Sequence, residues 1–210
     1  MTKFKICGLR RKEDAMILNR QHPDLAGSIF YPKSRRYLTK DQAGALRKLL
    51  DPSIQTVGVF VNSEPEAILP YVEAGIIQVV QLHGEEPPEE VRWLKARTEA
   101  PVLKAIRVRD RTSLEGLDRY DCDGFLLDAF TPGYGGAGKT FDDTLLRQAV
   151  IPKPFFMAGG LTPQNVGDIM ARTHPYGVDV SSAVETGGYK DESKIKAFIE
   201  AVRRKDEQHE

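Results

Sequence analysis

Eight short apolar runs punctuate this chain, at residues 4–7, 29–31, 57–61, 79–82, 102–106, 125–128, 155–158 and 177–180. They recur about every 20 to 30 residues, enough for a strand plus the crossover that leads back to a parallel neighbour. Each run is nearly continuous rather than alternating, as in strands covered on both faces. Few architectures accept that rhythm. A doubly wound open sheet is one, because strand-helix alternation alone does not separate it from a closed barrel. The count of eight favours the α/β alternative, a (β/α)8 TIM barrel in which residues 1–210 form a single domain.

The segments between the runs carry helix signals. Thr39-Lys-Asp-Gln42 reads as a capping box ahead of Ala43, Leu46, Leu49 and Leu50. Ser63 reads as a cap with Pro65 in the first turn, and Pro70 is expected to shorten or bend that helix. Thr162-Pro163 reads as the opening of a helix bearing Val166, Ile169 and Met170. After Asp191, residues Ile195, Phe198, Ile199 and Val202 fall at helical spacing. Beyond Arg203 every residue is polar, and fraying is expected.

Lys and Arg together number 30, as do Asp and Glu, so the basic surplus suited to nucleic acid or an anionic membrane is absent. No apolar run nears the ~20 residues of a membrane helix. The first residues lack the apolar stretch of a secretory signal. Cys7 and Cys122 make no disulfide framework, which suits a reducing, cytoplasmic setting. They would lie at opposite ends of a barrel, beyond the ~6 Å between Cα atoms that a disulfide spans. Monomer and homodimer both remain open, and a small molecule is the expected partner.

In a parallel barrel the C-terminal strand ends converge on one mouth. Reading them off gives Cys7, the loop 31–36, Asn62, Gln81, His83, Arg107, Asp128, Gly159, Gly160 and residues 179–182. That is too polar a set for packing alone. The loops Ala158-Gly-Gly-Leu-Thr-Pro163 and Ser181-Ser-Ala-Val-Glu-Thr-Gly-Gly188 follow the seventh and eighth strands. Barrels commonly hold phosphate between these two loops, on backbone N–H groups. Gly159 and Gly160 would let the backbone approach, and the hydroxyls of Ser181 and Ser182 would add donors. Ordinary turns favour the same residue types, but both loops occur at the two expected places.

Asp128 closes the sixth strand just before Gly133, Gly135, Gly136 and Gly138, four glycines in six residues. Such a loop reads as a lid beside a carboxyl group. Closing it would desolvate Asp128 and favour the protonated form of an acid catalyst. Residues 133–140 also fit G-x-x-x-x-G-K-[ST], the phosphate loop of nucleotidases. A true phosphate loop follows its strand directly, whereas Ala129-Phe-Thr-Pro132 intervene here. A lid is the better account.

Cys7 stands at the mouth near Arg10 and Arg11, which would favour its thiolate; most free cysteines are simply small buried hydrophobes. Asp179 is plausible inside the mouth, and a structural acceptor role is as good an account of it. His83 reads equally as a surface residue or a site-lining donor. Arg36, in a loop with three cations, has the planar shape that grips a carboxylate through two parallel hydrogen bonds. Isolated histidines without an acidic or thiol partner at ligand spacing give no metal site.

Seven motifs in this order resemble phosphoribosylanthranilate isomerases of tryptophan biosynthesis. They are Lys5-Ile-Cys-Gly-Leu9, Phe30-Tyr-Pro-Lys-Ser-Arg-Arg-Tyr37, Val57-Gly-Val-Phe-Val-Asn62, Gln81-Leu-His-Gly84, Leu127-Asp128 with its glycine loop, Ala158-Gly-Gly-Leu-Thr-Pro163 and Asp179-Val-Ser-Ser-Ala-Val-Glu185. The resemblance runs from Lys5 to about Ile199. It implies a cofactor-free and metal-free Amadori rearrangement, with Asp128 as general acid and Cys7 as general base. It also implies that Arg36 binds the anthranilate carboxylate, that Gln81, His83 and Asp179 contact substrate, and that Gly159, Gly160, Ser181 and Ser182 hold the phosphate. Two positions depart from the family pattern. Ala183 stands where glycine is usual, and Arg35 where proline or another residue is more common. A related isomerase of histidine biosynthesis would be expected to carry an acid in place of Cys7. A barrel that only binds phosphosugars would have no need of Cys7, Asp128 and a lid together.

Overall fold

The computed structural model describes residues 1–129, 143–146 and 149–207. Eight parallel strands close into a barrel in chain order: β1 (Lys3–Cys7), β2 (Leu25–Ile29), β3 (Gln55–Phe60), β4 (Val79–Leu82), β5 (Val102–Val108), β6 (Gly124–Ala129), β7 (Phe155–Met157) and β8 (Gly177–Val180). The open sheet is excluded, because β8 pairs back onto β1 with Lys5 opposite Asp179.

Alternation along the strands separates two cores. Leu25, Val57, Val79, Leu103, Ala105, Leu126, Phe156 and Ala158 form one buried cluster, which fills the barrel. Ile6, Val80, Phe125, Leu127 and Val178 belong to the other, shared with helix residues such as Leu18, Leu94, Ile169 and Phe198. Those helices are α1 (Lys12–Gln21), α2 (Lys40–Arg47), α3 (Pro65–Glu73), α4 (Pro88–Lys95), α5 (Val166–Thr173) and α6 (Glu192–Glu207). Among the described residues no helix is long and apolar enough to cross a membrane.

The capping box at Thr39 forms as read, with Thr39 Oγ1 accepting from Gln42 N and Gln42 Oε1 accepting from Thr39 N. Other local expectations need correction. β2 ends at Ile29 rather than beginning there, because Ala26-Gly27-Ser28 lacks the bulk that marks an apolar run. Ser63 does not cap α3; Glu64 holds that position without a side-chain bond, and the helix passes through Pro70 to Glu73, anchored by buried Ile68. Thr162 does not open α5. Its N–H donates to Asn165 Oδ1 at 2.7 Å, and the helix starts only at Val166. After β5 there are two 3₁₀ turns, Arg111–Leu114 and Leu117–Arg119, in place of an α-helix. That segment offers only Leu114 and Leu117 to the core, too few for an apolar helix face.

The polar tail of α6 is also ordered to Glu207. Asp206 accepts from Thr2 Oγ1 at 2.6 Å, and Arg203 Nη1 donates to Thr2 O at 2.9 Å. Beyond β8 a short antiparallel ribbon, β9 (Glu185–Thr186) and β10 (Tyr189–Lys190), brings Glu185 opposite Lys190 at the barrel mouth.

Candidate active site

A cavity of about 260 Å³ opens at the C-terminal end of the barrel. Cys7, Arg36, Gln81, His83, Asp128, Gly159, Gly160, Asp179, Ser181 and Ser182 all line it. Asn62 and Arg107 do not. Asn62 Oδ1 accepts from Glu85 N at 2.7 Å, and Arg107 Nη1 lies 3.5 Å from Glu85 Oε1. The glycines at 133, 135, 136 and 138 lie outside the described residues.

Asp128, the second-last residue of β6, ends a polar chain that runs through His83 to Gln81. Its Oδ2 lies 3.3 Å from His83 Nε2, and His83 Nδ1 lies 2.7 Å from Gln81 Nε2. His83 is therefore a site-lining group, tied to the acid rather than facing bulk water. Gly159 (φ +84°) makes room for this acid: a Cβ there would come within 2.7 Å of Asp128 Oδ1 and 2.5 Å of Ala129 N. The loop bearing His83 is braced from behind. Buried Glu86 accepts from Asn62 N at 2.8 Å and from Gly84 N at 3.0 Å, and it pairs with Lys104 Nζ at 2.9 Å.

Across the mouth, Cys7 ends β1 and is 6 % exposed. Gly27 of β2 presses on it, since a Cβ at Gly27 would lie 2.8 Å from Sγ. The expectation that Arg10 and Arg11 favour the thiolate fails. Both guanidinium groups stack on Tyr189, at 4.9 and 3.8 Å from its ring centre. Burial instead pushes the Cys7 thiol up; the Lys5 ammonium draws it down, Asp179 pushes it up again, and Lys190 draws it down. Asp179 takes the structural acceptor role, holding Lys5 Nζ at 2.9 Å.

Arg36 does grip a carboxylate through two bonds, but an internal one. Its Nε and Nη2 donate to Glu185 Oε1 and Oε2 at 2.7 and 2.8 Å. Gly8 (φ +90°) permits this, since a Cβ there would strike the Arg36 side chain. Lys190 Nζ adds a third bond to Glu185 at 3.0 Å, and exposed Arg35 a fourth at 3.2 Å. Burial opposes the charged Glu185, but Arg36 and Lys190 together hold its carboxyl below the ordinary range. Burial likewise pulls the Lys190 ammonium below the usual lysine value, with Glu185 opposing.

The two glycine and serine loops both line the cavity. Gly160, like Gly159, is left-handed (φ +67°), a conformation glycine takes without strain. Ser181 Oγ is committed to Cys7 O at 3.0 Å. Ala183 lies in the 3₁₀ turn Ser182–Val184 and is not among the residues with positive φ. Alanine in place of the usual glycine is therefore unstrained.

Lys5, Glu86, Lys104, Glu185 and Lys190 have no role assignable from sequence. Each is a charged residue whose partner is supplied by a different strand or loop, and hydropathy patterning carries no trace of that pairing.

The family model described as N-(5'phosphoribosyl)anthranilate (PRA) isomerase matches residues 4–201. The chain belongs to the PRA isomerase family. An N-(5'-phosphoribosyl)anthranilate isomerase of Acetivibrio thermocellus is 46 % identical, with 98 % of each chain covered. The crystal structure of phosphoribosyl anthranilate isomerase from Thermotoga maritima superposes with a TM-score of 0.87 at 40 % identity, covering 97 % of this chain and 100 % of that one. A further PRA isomerase structure, in complex with reduced 1-(o-carboxyphenylamino)-1-deoxyribulose 5-phosphate, gives a TM-score of 0.83 at 36 % identity, covering 97 % of this chain and 100 % of the other. That complex holds a phosphosugar joined to an aromatic acid. The cavity of this chain is lined by glycine and serine loops and by the Arg36 guanidinium.

Proposed function

We propose that this chain catalyses the Amadori rearrangement of N-(5'-phosphoribosyl)anthranilate to 1-(2-carboxyphenylamino)-1-deoxyribulose 5-phosphate. The observation that carries the reading is the convergence of Cys7 and Asp128 on one cavity from two strand ends, in a chain of the PRA isomerase family.

Asp128, protonated, gives its proton to the ribose ring oxygen. The C1–O bond breaks as the anthranilate nitrogen pushes its electron pair toward C1, leaving a protonated Schiff base and an Asp128 carboxylate. His83 Nε2 is placed to donate to that carboxylate. The Cys7 thiolate then removes the C2 proton, and the electrons move to nitrogen through a new C1–C2 double bond. The resulting enolamine relaxes to the ketone, gaining a proton at C1 and losing one from the C2 hydroxyl. The resting state returns when Cys7 loses its proton and Asp128 regains one.

Binding follows the same geometry. The Gly159-Gly160 and Ser181-Ser182 loops hold the phosphoryl group, and Arg36 meets the anthranilate carboxylate. Glu185 fixes the guanidinium by its Nε and Nη2 edge, so Nη1 is the nitrogen offered to substrate. Gln81 and Asp179 line the cavity as well. Following anthranilate fluorescence as purified protein consumes phosphoribosylanthranilate tests the reading directly. No change in rate over the uncatalysed background would rule it out.

A further inference from the structure

We propose that Lys5 is a positioning residue for the Cys7 base: clamped by Asp179 inside the barrel, its ammonium supplies the positive charge against which the Cys7 thiolate forms. The inference deepens the proposed isomerase mechanism and rests on its reading of Cys7 as base. Lys5 and Cys7 are two residues apart on β1, so both side chains point into the barrel. Lys5 is 0 % exposed, and its Nζ lies 2.9 Å from Asp179 Oδ1, its register partner across the β1–β8 seam.

Packing does not account for this pair. Inward positions on the other strands include the apolar Leu25, Val57, Leu103 and Leu126. Apolar side chains of similar volume hold a fold at least as well as a buried ion pair, because desolvating two charges offsets most of their attraction. A lysine and an aspartate kept inside such a core therefore point to chemistry.

The charged groups around the thiol are few. Lys5 comes from β1, Asp179 from β8 and Lys190 from β10, while β2 presents only Gly27. Lys190 is shared with Glu185 and the carbonyl of Ser181, and Glu185 is in turn held by Arg36. Among the described residues Lys5 is engaged by Asp179 and the thiol. Burial alone would pull its ammonium down, but the charges of Asp179 and of a Cys7 thiolate more than reverse this and raise it. Lys5 thus stays cationic. The two members of the ion pair act on Cys7 with opposite sign.

That opposition is the test. The pH dependence of Cys7 alkylation by iodoacetamide, read by mass spectrometry in a Cys122→Ala background, gives the thiol midpoint without any turnover. Lys5→Met should move the midpoint up by about one pH unit or more, a tenfold loss of thiolate below the midpoint. Asp179→Asn should move it down. A merely structural ion pair predicts no movement, or movement of both in the same direction, and either result overturns the proposal. If Lys5→Met does not fold, Lys5→Met/Asp179→Asn removes both charges and leaves neither buried alone. Its midpoint should still rise, since Lys5 weighs more on the thiol than Asp179 does; an unmoved midpoint again overturns the proposal. The rising limb of the kcat profile should follow these displacements, so that Lys5→Met recovers activity in alkali. Opposite thiol shifts in the two variants, together with a wild-type protein that never turns over phosphoribosylanthranilate, would sink the isomerase reading alone.

Discussion

Arg36 is held against Glu185 by two hydrogen bonds, at 2.7 and 2.8 Å, between residues 149 positions apart in the chain. Glu185→Gln should therefore release the guanidinium and raise the KM for phosphoribosylanthranilate more than it lowers kcat. Breaking one partner of a buried pair costs about 3 to 5 kcal/mol. At roughly 2 to 4 °C per kcal/mol for a chain of this size, Tm should fall by about 10 °C. The sign with pH follows from the depressed Glu185 carboxyl. Its stabilisation is complete above the unfolded value near 4.5 and fades as pH drops through the folded value. Calorimetry should show the Tm gap between wild type and Glu185→Gln closing below pH 4.5, and a constant gap would refute the assignment.

Loss of either proton-transfer group should strike the chemical step. Cys7→Ser and Asp128→Asn are each expected to lower kcat by roughly 10²-fold or more. Binding of the reduced product analogue, measured by calorimetric titration, should survive both changes. Near-normal turnover by both variants would remove the assigned roles.

The brace behind His83 is open to a separate test. Glu86→Ala deprives Asn62 N and Gly84 N of their acceptor and leaves the Lys104 ammonium buried without its carboxylate. The expected cost is again about 3 to 5 kcal/mol, read from urea unfolding. Cys7 alkylation should be unaffected, because the brace lies on the far side of the barrel mouth.

Ala183 offers a quieter prediction. Because its φ is not positive, Ala183→Gly relieves no strain, and glycine there should cost about 0.5 to 1 kcal/mol in backbone entropy. Kinetic constants should stay close to wild type. A large gain in affinity for inorganic phosphate would show that the loop needs a glycine after all.

The parts of this molecule legible in its sequence are those written in apolar patterning. Strands ending at Leu82 and Val180 are legible because apolar runs stop there and His83 and Ser181 follow. β2 is hard to place from sequence because the small residues around Gly27, needed to admit the Cys7 thiol, look like a turn. Lys5 reads as an ordinary polar residue early in a strand, and its inward direction matters only once β8 sets Asp179 opposite. Glu185 is silent for the same reason. Its cations come from a loop far upstream and from the ribbon that follows it. Charge pairing of this kind is a property of the closed barrel.

The seam where the first strand meets the last carries Lys5, Cys7, Asp179 and Ser181, with contacts spanning 174 positions of chain. Until the ribosome has released enough polypeptide for β8 to dock, the nucleophilic sulfur has neither its aspartate-held ammonium nor the hydroxyl that anchors its carbonyl. Competence for proton abstraction is in this way a late event of synthesis, and thiol reactivity on stalled nascent chains would time the moment the ring closes.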